Sequence, residues 1–299
     1  MSYVFAHWSL DPMVAICLVL TVLYERGLAN LARRSVPARV RRRRRASYQW
    51  YGGVAALLVA VDSPIDYWGD RYFFVHMIEH VLLMFIAPML LVGAAPWLPV
   101  AHGLPVRWRR RLGRALLLSA WSGPLRGIGR LLRSPWVGVA LLNLDMVLWH
   151  VPALFNLAER NTMVHVVLMH GSFLVTGVLF WMELMDSHPF HPRLSLPAQI
   201  GAILTTNAVM FVLAMSMSIF TATSWYTVYD HLPGIRFSAF ADQQLGAAIL
   251  WICGDFWATP ILIKVVRRVI DEEDGGISAM LEHLLHRAGL PELGGTSRP

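Results

Sequence analysis

The sequence predicts an all-α protein: a polytopic transmembrane helical bundle of about seven spans, with its N-terminus outside and its C-terminus cytoplasmic. Three observations predict it. Of 299 residues, 56% are hydrophobic and only 15% charged, against about 25% charged in an ordinary soluble domain. The apolar residues gather into stretches close to the ~20 needed to cross a bilayer. The 26 basic residues, all arginine except Lys264, are segregated along the chain. A disordered chain, a secreted disulfide scaffold and an ordinary soluble enzyme are thereby excluded. Cys17 and Cys253 both lie inside apolar stretches, so neither a structural disulfide nor a cysteine-rich metal framework is expected.

The spans are expected at residues 11–28, 48–61, 72–95, 135–151, 162–184, 197–221 and 240–266. The first lacks the pattern of a signal peptide, with no basic residue before it and no small-residue cleavage site after it. The second is short and takes Trp50 and Tyr51 as interface anchors. In the third, Pro88 is expected to kink the helix and Pro96 to end it. The loop after the first span holds Arg33, Arg34, Arg39 and the run Arg41 to Arg45; the loop after the third holds eight more arginines between Arg107 and Arg133. Arg193 lies in the short fifth loop, and Lys264, Arg267 and Arg268 close the last span. Asp62, Asp66 and Asp70 dominate the second loop, and the fourth has only Glu159 and Arg160. Basic loops stay cytoplasmic, which sets the orientation. The net charge of +7 thus reports topology rather than nucleic-acid binding. Residues 1–270 form one transmembrane domain and 271–299 a short cytoplasmic tail. Residues 112–132, rich in Arg and Leu, are expected to lie along the membrane surface as an amphipathic helix.

Ionisable residues within spans are costly and face the bundle interior. At 1.5 Å per residue, His76 and His80 lie about 6 and 12 Å from the outer end of the third span, and His165 and His170 about 5 and 12 Å from that of the fifth. His150 ends the fourth span, with Asp145 about 9 Å in, and Asp242 begins the seventh. The outer leaflet therefore collects the histidines. His76, Glu79 and His80 share one α-helical face, so the two imidazoles can bind one ion. His165 and His170, five apart, diverge by about 140° on an α-helix and are expected to be poorly placed for one ion. His165 shares a face with Met169, and His150 with Met146. Histidine with methionine suits copper. Asp145 and Asp242 are open to proton-relay or helix-pairing roles instead, and no partner can be named for Asp255.

Several blocks resemble one family. His76-Met77-Ile78-Glu79-His80, the following Val81 to Pro88 and Gly93-Ala94-Ala95-Pro96 resemble the signature of the CtaG family of caa3-type cytochrome c oxidase assembly factors. Trp149 to Asn156, His170-Gly171-Ser172-Phe173 with Gly177 to Trp181, and Asp242 to Gly246 resemble its later blocks, in order. Two departures are Met169, where an acid or amide is expected, and Cys253, where a proline is more usual. The resemblance implies a non-enzymatic oxidase assembly factor in the bacterial plasma membrane, with a part in copper delivery. It places His76, His80, His150, His170 and Asp242 at the site; the residue reading adds Glu79 and His165. Copper is the expected cofactor, and nascent oxidase subunits and the lipid bilayer are the expected partners, with no nucleic acid; self-association as a homo-oligomer is left open. Two alternatives stand beside this reading. One is a haem-binding electron carrier with His80 and His170 as axial ligands. The other is a membrane-embedded zinc hydrolase with Glu79 as general base.

Overall fold

The computed structural model describes residues 7–8, 12–230 and 238–287, those at 12 and 271–287 by backbone alone. Among them the structure is helical, without strands. Helix α1 (Pro12–Ala32) leads through a short turn to α2 (Pro37–Val61) and the single turns of α3 (Pro64–Gly69). Helix α4 (Phe73–Gly93) follows, then α5 (Trp97–Gly103). Two arginine-rich helices come next, α6 (Val106–Leu117) and α7 (Gly123–Leu132). Helices α8 (Val137–Trp149) and α9 (Pro152–Glu159) precede α10 (Met163–Leu184), α11 (Leu196–Ser218) and α12 (Ala239–Arg287).

Five of these helices (α1, α4, α10, α11 and α12) are long and apolar enough to cross a bilayer. A sixth crossing results if residues Ala120–Leu132 and Val137–Trp149, bent by 84° at their junction, count as one broken span. The expectation of seven meets its difficulty at α2 and α8. Helix α2 is continuous through 25 residues, but its first half carries the run Arg41 to Arg45, which leaves only the later turns apolar. Helix α8 has 13 residues, a rise of about 20 Å against a hydrocarbon core of about 30 Å. The outer surface is apolar where lipid would lie: Leu18, Val19, Val212 and Phe256 are all exposed.

The single amphipathic helix expected at 112–132 is instead two, α6 and α7. Pro124, which has no N–H to give, starts the second. The Ser122 hydroxyl holds the corner by donating to the carbonyls of Leu116 and Ser119. Leu117, Leu118, Trp121 and Leu131 project outward from this pair, so the amphipathic character stands although the helix is broken.

Helix α4 is central, packed by α2, α10 and α12. Ahead of Pro88 the helix runs through a π-helical turn at Leu82–Ile86 and continues as one span. A proline ring presses on the carbonyl four residues back, here that of Met84. Gly177 of α10 packs at this point. A Cβ on it would collide with the Met84 carbonyl oxygen and lie 2.8 Å from the Pro88 ring. The interior below is aromatic: Phe85 stacks on Trp257 at 4.8 Å, and Trp257 meets Trp181 edge-on at 5.6 Å. At the arginine-rich end, Glu183 takes Arg133 at 3.0 Å and the backbone N–H of Arg193 at 2.8 Å. That clasp ties α7 and the loop before α11 to the end of α10. Asp145 accepts from the Thr176 hydroxyl across α8 and α10 at 3.0 Å. Asp255 accepts from Asn207 at 3.4 Å.

Candidate metal centre

The first turn of α4 orients the centre. Both carboxylate oxygens of Asp242 on α12 accept backbone N–H bonds from it, from Phe73 at 2.7 Å and Phe74 at 3.1 Å. An anion at a helix N-terminus satisfies orphan donors and meets the positive end of the helix dipole. One turn along α12, Gly246 lets the Phe73 ring lie against the backbone, since a Cβ there would strike the ring. Phe73 also stacks on Tyr226 at 4.6 Å and meets Phe155 edge-on at 5.6 Å. With Phe73 fixed, the next turn points His76, Glu79 and His80 away from α12 towards α9 and α10.

The opposing face belongs to the start of α10. Asn161 initiates it, its side-chain oxygen accepting the N–H groups of Met163 and Val164. Residues Met163–His170 are π-helical. This overturns the expected divergence of His165 and His170. In a helix hydrogen-bonded i→i+5, residues five apart return to the same side, and the two rings stand 4.3 Å apart between centroids. The His76 and His80 rings are 4.1 Å apart and the His76 and His165 rings 5.2 Å. Glu159, the last residue of α9, completes the set.

Two donor groups result, His76 with Glu159 and His165, and Glu79 with His165 and His170. Within each, the donor atoms lie within 4.8 Å of one another. Glu159 Oε1 is 3.4 Å from His165 Nδ1 and 3.6 Å from His76 Nδ1. Glu79 Oε1 is 3.1 Å from His170 Nε2, and Glu79 Oε2 is 3.9 Å from His76 Nδ1. Bonds of about 2.1 Å around one first-row ion give donor–donor separations of about 3.0–3.4 Å, so small side-chain movements would close either group. Burial first, and the Asp70 carboxylate second, push the Glu159 carboxyl up to about 8.

The strongest feature is what these atoms do not bond to. Both ring nitrogens of His76, His80 and His170, both oxygens of Glu79, His165 Nε2 and Glu159 Oε1 are buried without a hydrogen bond of sound geometry. Buried polar groups are nearly always satisfied, and each orphan costs about 1–3 kcal/mol. Ten orphans converging on one volume fit a cation. Imidazole suits copper, zinc and iron; carboxylate favours the harder oxidation states.

A family described as "Cytochrome c oxidase caa3 assembly factor (Caa3_CtaG)" matches residues 22–272. The chain belongs to this family. Similar proteins include uncharacterized proteins of Mycobacterium bovis and Mycobacterium tuberculosis, each 29% identical over 278 residues. A third, from Mycobacterium leprae, is 25% identical over 276 residues. These matches cover 89% of this chain for the first two and 88% for the third. The CtaG-type chain spans only about two fifths of each relative, 41%, 41% and 39%. No solved structure matches it significantly.

Of the residues the sequence singled out in this CtaG-family chain, the structure brings His76, His80, His165, His170 and Glu79 together. His150 stands at the edge, its ring 5.8 Å from that of His80. One of its nitrogens is 2.6 Å from the Met146 carbonyl and the other 3.4 Å from Met77 Sδ. His150 thus shares a face with Met146, as expected, and the thioether it meets is that of Met77. Asp242 enters neither donor group, because both its oxygens are engaged by α4. The residue that sequence reasoning passed over is Glu159, read only as a loop charge. Its one signal was being an isolated acid in a loop between two histidine-bearing spans. Tyr229 was also missed: its buried hydroxyl donates to Gly69 O at 3.0 Å and lies 3.5 Å from Glu159.

Proposed function

We propose that this cytochrome c oxidase assembly factor holds a copper ion in the His/Glu centre and releases it to a nascent oxidase subunit. The observation that carries the reading is the convergence of buried, unbonded imidazole and carboxylate atoms at one end of the bundle. Family membership supplies the context of oxidase assembly; copper is the cargo that the donor chemistry accepts. The end bearing the centre lies opposite the arginine-rich loops, and the bias of arginine towards the cytoplasm assigns it to the outer face of the plasma membrane. His76, Glu79, His165, His170 and Glu159 would supply ligands, with His80 alongside and His150 and Met77 at the rim. Each group offers only three side-chain donors, which leaves coordination positions open for a receiving protein's ligand. No chemistry on a bound substrate is required, so the role is that of a carrier.

The haem alternative, with His80 and His170 at 6.5 Å between ring centroids, is separated from the copper reading by the visible spectrum of the purified protein, where a Soret band would favour haem. Copper and zinc are separated by measurement. Purified protein is expected to carry copper, and the double variant His165→Ala/His170→Ala, which removes the ligand common to both groups, to carry less than a tenth as much. Equal copper in both proteins, or zinc in place of copper, sinks the reading.

A further inference from the structure

We infer that the two donor groups are successive stations for a single ion, entered through Glu159 and ending at Glu79. This rests on the metal-carrier reading above and adds a direction to it. The stations differ in depth. The outer one includes Glu159 at the end of α9, beside the exposed Arg160, and His76 in the first turn of α4, whereas Glu79 and His170 of the inner one lie further along α4 and α10. His165 is common to both. Its ring lies 5.2 Å from His76 of the outer station and 4.3 Å from His170 of the inner one, so it stands between them.

The stations are also matched in chemistry. Each offers two imidazoles and one carboxylate, so an ion meets the same charge and the same donor types at both. A step inward exchanges ligands one for one: the ion gives up Glu159 and His76, gains Glu79 and His170, and keeps His165. No electron is transferred and no proton need be consumed. Matched stations linked by a shared ligand make a shallow path rather than a trap, as a protein that must surrender its ion requires. Simultaneous filling is disfavoured. It would place two cations within a few ångströms in a region of low dielectric and require one imidazole to bridge them. Glu159 ends α9 beside the exposed Arg160, with the Asp70 and Asp66 carboxylates acting on it electrostatically, which puts entry at that end.

The test uses the full chain in nanodiscs, stripped with a chelator and mixed with cupric ion. Uptake is followed by stopped-flow spectroscopy and final content by elemental analysis. The wild type is expected to take one equivalent. Glu159→Gln, an isosteric change, is expected to slow uptake at least tenfold while reaching the same content. Glu79→Gln is expected to fill at the wild-type rate but to lose copper to a competing chelator at least tenfold faster. Two equivalents in the wild type, unchanged uptake in Glu159→Gln, or equal loss of content in both variants would overturn the two-station path. No uptake by the wild type would instead overturn the carrier reading itself.

Discussion

Asp242 decides between two roles that sequence alone does not separate, metal ligand and helix anchor. Its carboxylate accepts two backbone N–H bonds from the first turn of α4, at 2.7 and 3.1 Å, across 169 and 168 residues of sequence. Replacing it with alanine removes both bonds and leaves two N–H groups in a largely buried site. A lost N-cap costs about 0.5–2 kcal/mol, and bonds to a charged acceptor contribute about 1.5–3 kcal/mol each. These overlap rather than add, and water entering the vacated space recovers part. Asp242→Ala should therefore lose about 2–4 kcal/mol. Asp242→Asn keeps one acceptor oxygen and should lose about half of that. The assay is denaturant or thermal unfolding in a fixed detergent, with copper content measured on the fraction that stays folded. For a helix anchor, stability falls in the order wild type, Asn, Ala, while the folded fraction still binds copper. Full stability combined with lost copper in Asp242→Ala would refute the anchoring argument and return Asp242 to the ligand set.

Other outcomes are expected from the same geometry. His165→Ala removes the ligand common to both donor groups and should abolish copper binding, whereas His150→Ala, at the rim, should retain more than half; elemental analysis of both variants checks this. Gly177→Val forces a side chain against the Met84 carbonyl and the Pro88 ring and should cost at least the ~1–3 kcal/mol typical of overpacking, read as a lower unfolding midpoint. Glu183→Gln leaves Arg133 with a neutral partner at the opposite end of α10 and should destabilise by about 1–3 kcal/mol without altering copper content. Tyr226→Phe removes the hydroxyl that donates to the His150 carbonyl at 3.1 Å and should cost about 1 kcal/mol in the same unfolding assay.

Much of the candidate site was legible because α-helical spacing is a local rule. His76, Glu79 and His80 share a face by i, i+3 and i+4, and the structure keeps all three on one side of α4. The same rule misjudged His165 and His170, since it assumes an α-helix where the chain forms a π-helix. A π-turn adds a residue to the turn and is chosen by packing, so five-residue spacing alone gives no warning of it. Glu159 was illegible for a different reason. A loop carboxylate reads as solvated, and only the fold of α9 against α4 and α10 buries it among imidazoles.

The sequence by itself determined the helical class, the apolar stretches and the separation of arginine from histidine along the chain. Those depend on composition and on distance along the backbone, which any helix preserves. The tertiary structure alone decided where the helices break, that Asp242 caps α4, and that His165 belongs to both donor groups. These depend on which surfaces meet and on one non-standard helical turn, and burial then turns ordinary side chains into unsatisfied donors around a shared space.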